Sequence, residues 1–133
     1  MNWYDWAEYY IKEDLEKGDI EKAKQHRRQT RSWCEYGSND FFYWERKRET
    51  KYWKAWRKLA EQIVEKYPWE TFTAKDLNCH GNRLSAASFW IGASVVQEKP
   101  MIYKANLPLM YIIFEHSPLS EKIEKYYLDK SKK

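Results

Sequence analysis

Phe72-Thr73-Ala74-Lys75-Asp76-Leu77-Asn78-Cys79-His80-Gly81-Asn82-Arg83-Leu84-Ser85, continuing to Phe114, is the segment from which the fold is read. Thr73 and Asp76 have capping-box spacing, which predicts a short helix beginning there. The polar run 78–82 breaks it, and a second, apolar helix is expected over about 85–97. After Pro100, residues 101–104 and 110–114 have the apolar, β-branched and aromatic character of strands, with 105–109 as the connection between them. The order is helix, turn, helix, hairpin.

Composition bounds what surrounds this segment. The chain has 133 residues, 43% hydrophobic and 33% charged, which suits one compact domain with helical extensions. Eight Trp and eleven Tyr are enough ring area for a core in a short chain, since each buried ring removes roughly 150–250 Å² from water. A net charge of +4 and a pI near 8.9 favour a polyanionic partner. Two cysteines, Cys34 and Cys79, are too few for a disulfide framework, and a reduced cytoplasmic setting is expected. The first residues lack the cationic-then-apolar layout of a secretory signal. The longest uncharged run, 84–97, falls short of the ~17–25 residues of a membrane span, so no membrane association is expected.

N-terminal to the segment, Trp3, Trp6, Ala7, Tyr10, Ile11 and Leu15 recur at helical spacing over 3–16. Gly18 ends that helix, and Asp19 is placed to cap a second one over 20–36, with Ala23, Arg27, Thr30, Trp33 and Cys34 near its inner face. Gly37-Ser38-Asn39-Asp40 is a loop. A long helix over 41–66 follows, its apolar face carried by Tyr52, Ala55, Trp56, Leu59, Ala60, Ile63 and Val64. Pro68 stops it. Near the end of the chain, Ser117-Pro118 starts a last helix with Leu119, Ile123, Tyr126 and Tyr127 on one stripe.

Taken together, the elements from about Lys54 to His116 resemble the winged helix-turn-helix family. The implied fold is mainly α with a small antiparallel β-hairpin wing. Residues 1–53 would form an N-terminal helical extension, 54–116 the winged helix-turn-helix, and 117–133 a C-terminal helix and tail that either mediates a dimer or packs on its own chain. The resemblance implies duplex DNA as partner, a homodimer, and a role in transcription regulation. Its recognition helix would begin at Asn82-Arg83-Leu84-Ser85, with Ala86, Phe89, Ala93 and Val96 inward and Ser85, Ser88, Gly92 and Gln97 outward. Arg83 is the one guanidinium in that helix able to make a bidentate guanine contact. Lys75 in the preceding helix, and Lys99, Tyr103, Lys104 and Asn106 in the wing, complete the candidate contacts there. Size, aromatic load and a Lys/Glu-rich surface also look similar to small proteins of archaeal viruses and plasmids.

Positive charge is densest earlier, between Lys22 and Lys58, interleaved with aromatic residues. Arg27, Arg28 and Arg31 are candidate phosphate contacts there, and the same basic-aromatic stretch 22–58 is the basis of an alternative reading as a single-strand binder. Another alternative is a protein-interaction module of a mobile element, a host-complex inhibitor or a nucleoprotein component, using the same winged-helix surface. Catalysis is not expected: His26, His80 and His116 are scattered, and no HExxH, phosphate-cradling glycine loop or nucleophile elbow occurs. Cys34, Cys79, His26 and His80 match no paired-ligand zinc spacing, so neither a metal nor a cofactor is expected.

Overall fold

The computed structural model describes residues 7–36, 51–115 and 117–131. The chain is mainly helical with one small sheet. A π-helical turn, Ala7–Ile11, runs into α1 (Lys12–Glu16), followed by α2 (Ile20–Tyr36), α3 (Lys51–Lys66) and β1 (Thr71–Phe72). Then come α4 (Gly81–Ile91), β2 (Ala93–Glu98), β3 (Met101–Ala105), α5 (Leu107–Ile113) and α6 (Pro118–Ser131). The sheet is antiparallel in the order β1-β3-β2. Phe72 pairs with Tyr103, and the β2–β3 ladder runs from Ala93 opposite Ala105 to Glu98 opposite Met101, with an irregularity between Val95 and Gln97.

Local signals fix the helix ends. Gly18, at φ 74°, lies just past α1, and Asp19 Oδ1 accepts from the Lys22 amide at 3.2 Å at the start of α2. Ser117 Oγ accepts from the Leu119 amide at 3.3 Å, and Pro118 opens α6. The expected loop 37–40 and the first part of the long helix 41–66 lie outside the described residues, as do residues 1–6 of the first helix. Residues 51–66 are helical as expected.

Three boundaries differ from the sequence reading. The helix expected over 85–97 begins earlier, at Gly81, and stops at Ile91, because Gly92 takes the left-handed conformation (φ 82°) and its amide closes on the Ser88 carbonyl. The β-branched pair Val95-Val96 then extends as strand β2. The hairpin therefore turns at Lys99-Pro100, and β3 pairs with β2 and β1. Residues 110–114 do not pair with 101–104, because they belong to α5 and its C-cap. Asn106 Oδ1 accepts from the Leu109 amide at 3.2 Å and Pro108 sits in the first turn, which is a helix start. Every residue of α5 is buried. A helix covered on all sides has no polar stripe, which is why its apolar run reads as a strand.

The capping box at Thr73 and Asp76 forms as expected: the Thr73 amide donates to Asp76 Oδ2 (2.9 Å) and the Asp76 amide to Thr73 Oγ1 (3.3 Å). What it opens is a turn over 74–78, ending at Asn78 with φ 54°, and not a helix.

One hydrophobic cluster joins the whole described chain, from Ala7, Ile11 and Leu15 through Ile63, Phe72, Leu84, Ile91, Tyr103 and Tyr111 to Ile123 and Tyr127. Rings knit α3 to its neighbours: Trp56 stacks on Trp90 of α4, and Tyr67 on Phe72, which stacks in turn on Tyr103. The apolar stripe of α6 (Leu119, Ile123, Tyr127) is buried in this same cluster, so this face of the last helix packs on its own chain. Among the described residues, no helix is long and apolar enough to cross a membrane.

Candidate nucleic-acid interface

α4 is positioned by burial of Leu84, Ala87, Ser88 and Ile91, which leaves Gly81, Asn82, Arg83, Ser85 and Ala86 exposed along its first half. His80 caps it, its Nδ1 accepting from the Asn82 amide at 3.2 Å. The first turn contains no acid and does contain Arg83, so no side-chain anion of α4 offsets the positive end of its dipole. Beside this end lies an open groove of about 610 Å³ between α3 and the 74–78 turn. Among the described residues, Lys54, Lys58, Gln62, Asn78, Cys79 and Arg83 line it with Ala55, Leu59 and Leu77: three cations and no acid. On the other side of α4 in sequence, the β2–β3 hairpin presents Gln97, Lys99 and Pro100 to solvent. The Gln97 amide nitrogen donates to the Lys99 and Pro100 carbonyls (3.2 and 3.4 Å), tying the turn.

The candidate contacts divide on this geometry. Lys75, Asn82, Arg83, Ser85, Gln97, Lys99 and Lys104 are exposed. Lys104 pairs with Ser94 and lines a separate hollow with Val96, Trp69, Tyr127 and Lys130, whose ammonium lies 4.2 Å from the Trp69 ring centre. Arg28 is exposed on α2, where it lines a shallow hollow with Gln25, His26, Gln29 and Ser32 that includes nothing from α4 or the hairpin.

Five candidates serve the interior and are corrected. Ser88 is buried, and its hydroxyl donates back to the Ser85 carbonyl at 3.0 Å. Tyr103 is 1% exposed because its ring stacks on Phe72. Asn106 spends its side chain on the α5 cap. Arg27 is buried with its guanidinium 4.1 Å above the Tyr111 ring, donating to the Tyr111 carbonyl at 3.3 Å. Arg31 is buried too: Nη1 donates to the Ile112 (2.8 Å) and Ile113 (3.3 Å) carbonyls, and Nε pairs with Glu115 at 2.6 Å. Together the two arginines of α2 satisfy carbonyls at the end of α5 that have no partner within the helix. Burial first, then the bond its hydroxyl donates to Glu124 (2.6 Å), pushes the Tyr111 phenol above its ordinary value, so it stays protonated as a donor.

The facing of the second helix is corrected as well. Ala86 and Val96, expected inward, are exposed, while Gly92, expected outward, is buried against Met110. Ala93 is buried as expected. Lys54 and Lys58 entered the sequence reading only as part of a charge run. Their signal was an i, i+4 spacing that puts both on one helix face. Of the thiol and imidazole groups weighed as zinc ligands, His80 caps α4 and His26 Nδ1 pairs with the buried Asp14 carboxylate at 2.5 Å. No family model matches the chain, and comparison with curated proteins and with solved structures also gives no match.

Proposed function

We propose that this chain is a winged helix-turn-helix protein that binds duplex DNA in transcription regulation, with α4 as the reading helix and the β2–β3 hairpin as the wing. The observation that supports this most is the exposed, acid-free first half of α4, with a basic groove beside its start and a solvent-exposed hairpin turn following it in the chain. The element order α3, β1, α4, β2, β3 and the sheet order β1-β3-β2 fit that reading, with a turn over 74–78 where the resemblance expects a helix. Asn82, Arg83 and Ser85 would reach base edges, with Gln97 and Lys99 on the flanking backbone. Small neighbours (Gly81, Ala86) let the helix approach a groove closely.

Arg83→Ala is expected to weaken binding to a preferred duplex by about 1–3 kcal/mol and to relax preference at one base position. The check is a panel of duplexes differing one position at a time. A loss equal across the panel would reassign Arg83 to a phosphate.

A second reading has its own observation. Val95, Val96 and Met101 on the hairpin are 43%, 52% and 37% exposed, an apolar surface of the kind proteins use to bind proteins. In that case the chain is an interaction module of a mobile element acting on a host protein. Val96→Lys separates the two: added positive charge on the hairpin leaves or strengthens DNA affinity, whereas it disrupts an apolar protein contact. Homodimerisation is part of the DNA proposal, and sedimentation equilibrium with and without duplex measures it.

A further inference from the structure

We infer that the groove between α3 and the start of α4 is a phosphate site, and that it holds one or two backbone phosphates of the bound nucleic acid through Lys54, Lys58 and Arg83. The inference rests on the DNA-binding reading above and assigns the part of that footprint beside the start of α4. Among the described residues, three cations from two helices line one concavity with no carboxylate beside them. Exposed opposite charges pair elsewhere on this chain, as in Glu8–Lys12, Glu13–Lys17 and Arg57–Glu61, whereas the described lining of this groove carries one sign of charge. Lys54 and Lys58 are one helical turn apart, so their ammonium groups repel unless an anion lies between or above them. Asn78 and Gln62 add uncharged hydrogen-bonding groups. The start of α4, the positive end of its dipole, reaches the groove through Arg83. The groove is open, which suits a polymer strand passing through it.

Cys79 gives the site its own reporter, because its thiol lines the groove and is half-buried. In a Cys34→Ser background Cys79 is the single thiol of the chain. The experiment measures maleimide alkylation of Cys79 alone, with a duplex, and with inorganic phosphate. Alongside it, the salt dependence of duplex affinity is measured for the parent and for Lys54→Ala/Lys58→Ala. The expected result is that duplex slows alkylation severalfold, that inorganic phosphate at equal phosphate concentration protects less, and that the double variant loses protection. Its slope of log affinity against log salt becomes shallower by about 2, near one unit for each phosphate no longer neutralised. Both lysines are exposed, so the variant is expected to fold, and its circular dichroism melt verifies this.

Duplex binding with an unchanged slope and an unprotected thiol would overturn the groove assignment while leaving the α4 reading intact. Equal protection by inorganic phosphate and duplex would overturn the backbone assignment in favour of a free-phosphate site. Absence of duplex binding by the parent would sink the functional reading and this site with it.

Discussion

Replacing Arg31 with alanine is expected to cost about 3–5 kcal/mol of unfolding free energy, the range found when one partner of a buried ion pair is removed. The side chain of Arg31 is 7% exposed and that of Glu115 22%. Removing the guanidinium leaves the Glu115 carboxylate partly buried without this cation. It also withdraws the donor shared by the Ile112 and Ile113 carbonyls at the end of α5. Urea denaturation measures the loss as a lower midpoint at unchanged slope. Arg31→Ala/Glu115→Ala should recover part of it, because the stranded carboxylate is then gone. The same substitution distinguishes two roles for this residue. A buried clamp changes stability and leaves the salt slope of DNA binding unaltered in the folded fraction. A phosphate contact would do the reverse. A loss below about 1 kcal/mol, in the surface-pair range, would contradict the clamp.

The second large effect is at Gly92. Its φ of 82° is a conformation that costs a residue with Cβ roughly 1–2 kcal/mol. A Cβ there would lie 2.8 Å from Met110 Cγ and 3.3 Å from the Met110 amide nitrogen. The side chain can swing away at some cost, but the backbone of a helix buried on every side cannot, and overpacking of this kind costs typically about 1–3 kcal/mol. Gly92→Ala is therefore expected to destabilise by about 2–5 kcal/mol, the sum of the two ranges. The two parts separate in a double-mutant cycle with Met110→Ala. Shortening Met110 removes the 2.8 Å approach and leaves the backbone strain, so the combined loss should be smaller than the sum of the single losses by at least about 0.5 kcal/mol. Strict additivity would contradict the close approach. Gly92 is also the hinge of the functional proposal, since it ends the reading helix and starts the hairpin within two residues.

How much of this was legible in the sequence follows from how local each signal is. Asp19, Ser117-Pro118 and the Thr73/Asp76 box act within three residues: the first two cap the helices expected there, while the box makes its hydrogen bonds but opens a turn in place of the expected helix. Gly92 carries the same kind of signal, but Ala86-Ala87-Ser88 and Ala93-Ser94 place small residues on both sides of it and mask the stop. α5 resembles a strand in sequence for a different reason. Its burial on all faces is a tertiary fact, and a fully buried helix and a fully buried strand have the same apolar sequence. Asn106 and Pro108 were the local evidence for a helix start, and they look equally like turn residues until a helix is seen to follow.

Charge told the least, since a formal count does not distinguish a basic surface from a basic interior. Arg27 and Arg31 belong to a basic cluster in the sequence, yet both turn inward to α5. The inward position of Arg27 was visible in the helical spacing that put it beside Ala23 and Thr30 on the buried face. Lys54 and Lys58, plain members of the same cluster, line the groove at α4. The groove itself depends on α3 meeting the 74–78 turn, which no spacing in the sequence encodes.

The central claim is that α4 and its flanking hairpin engage double-stranded DNA. Titration of fluorescently labelled duplex, single-stranded and RNA probes with the full chain, each across a salt series, tests it most directly. The account predicts tightest binding to the duplex, with affinity falling linearly in log–log against salt. Preference for the single strand, or no binding to any of the three probes, would contradict it.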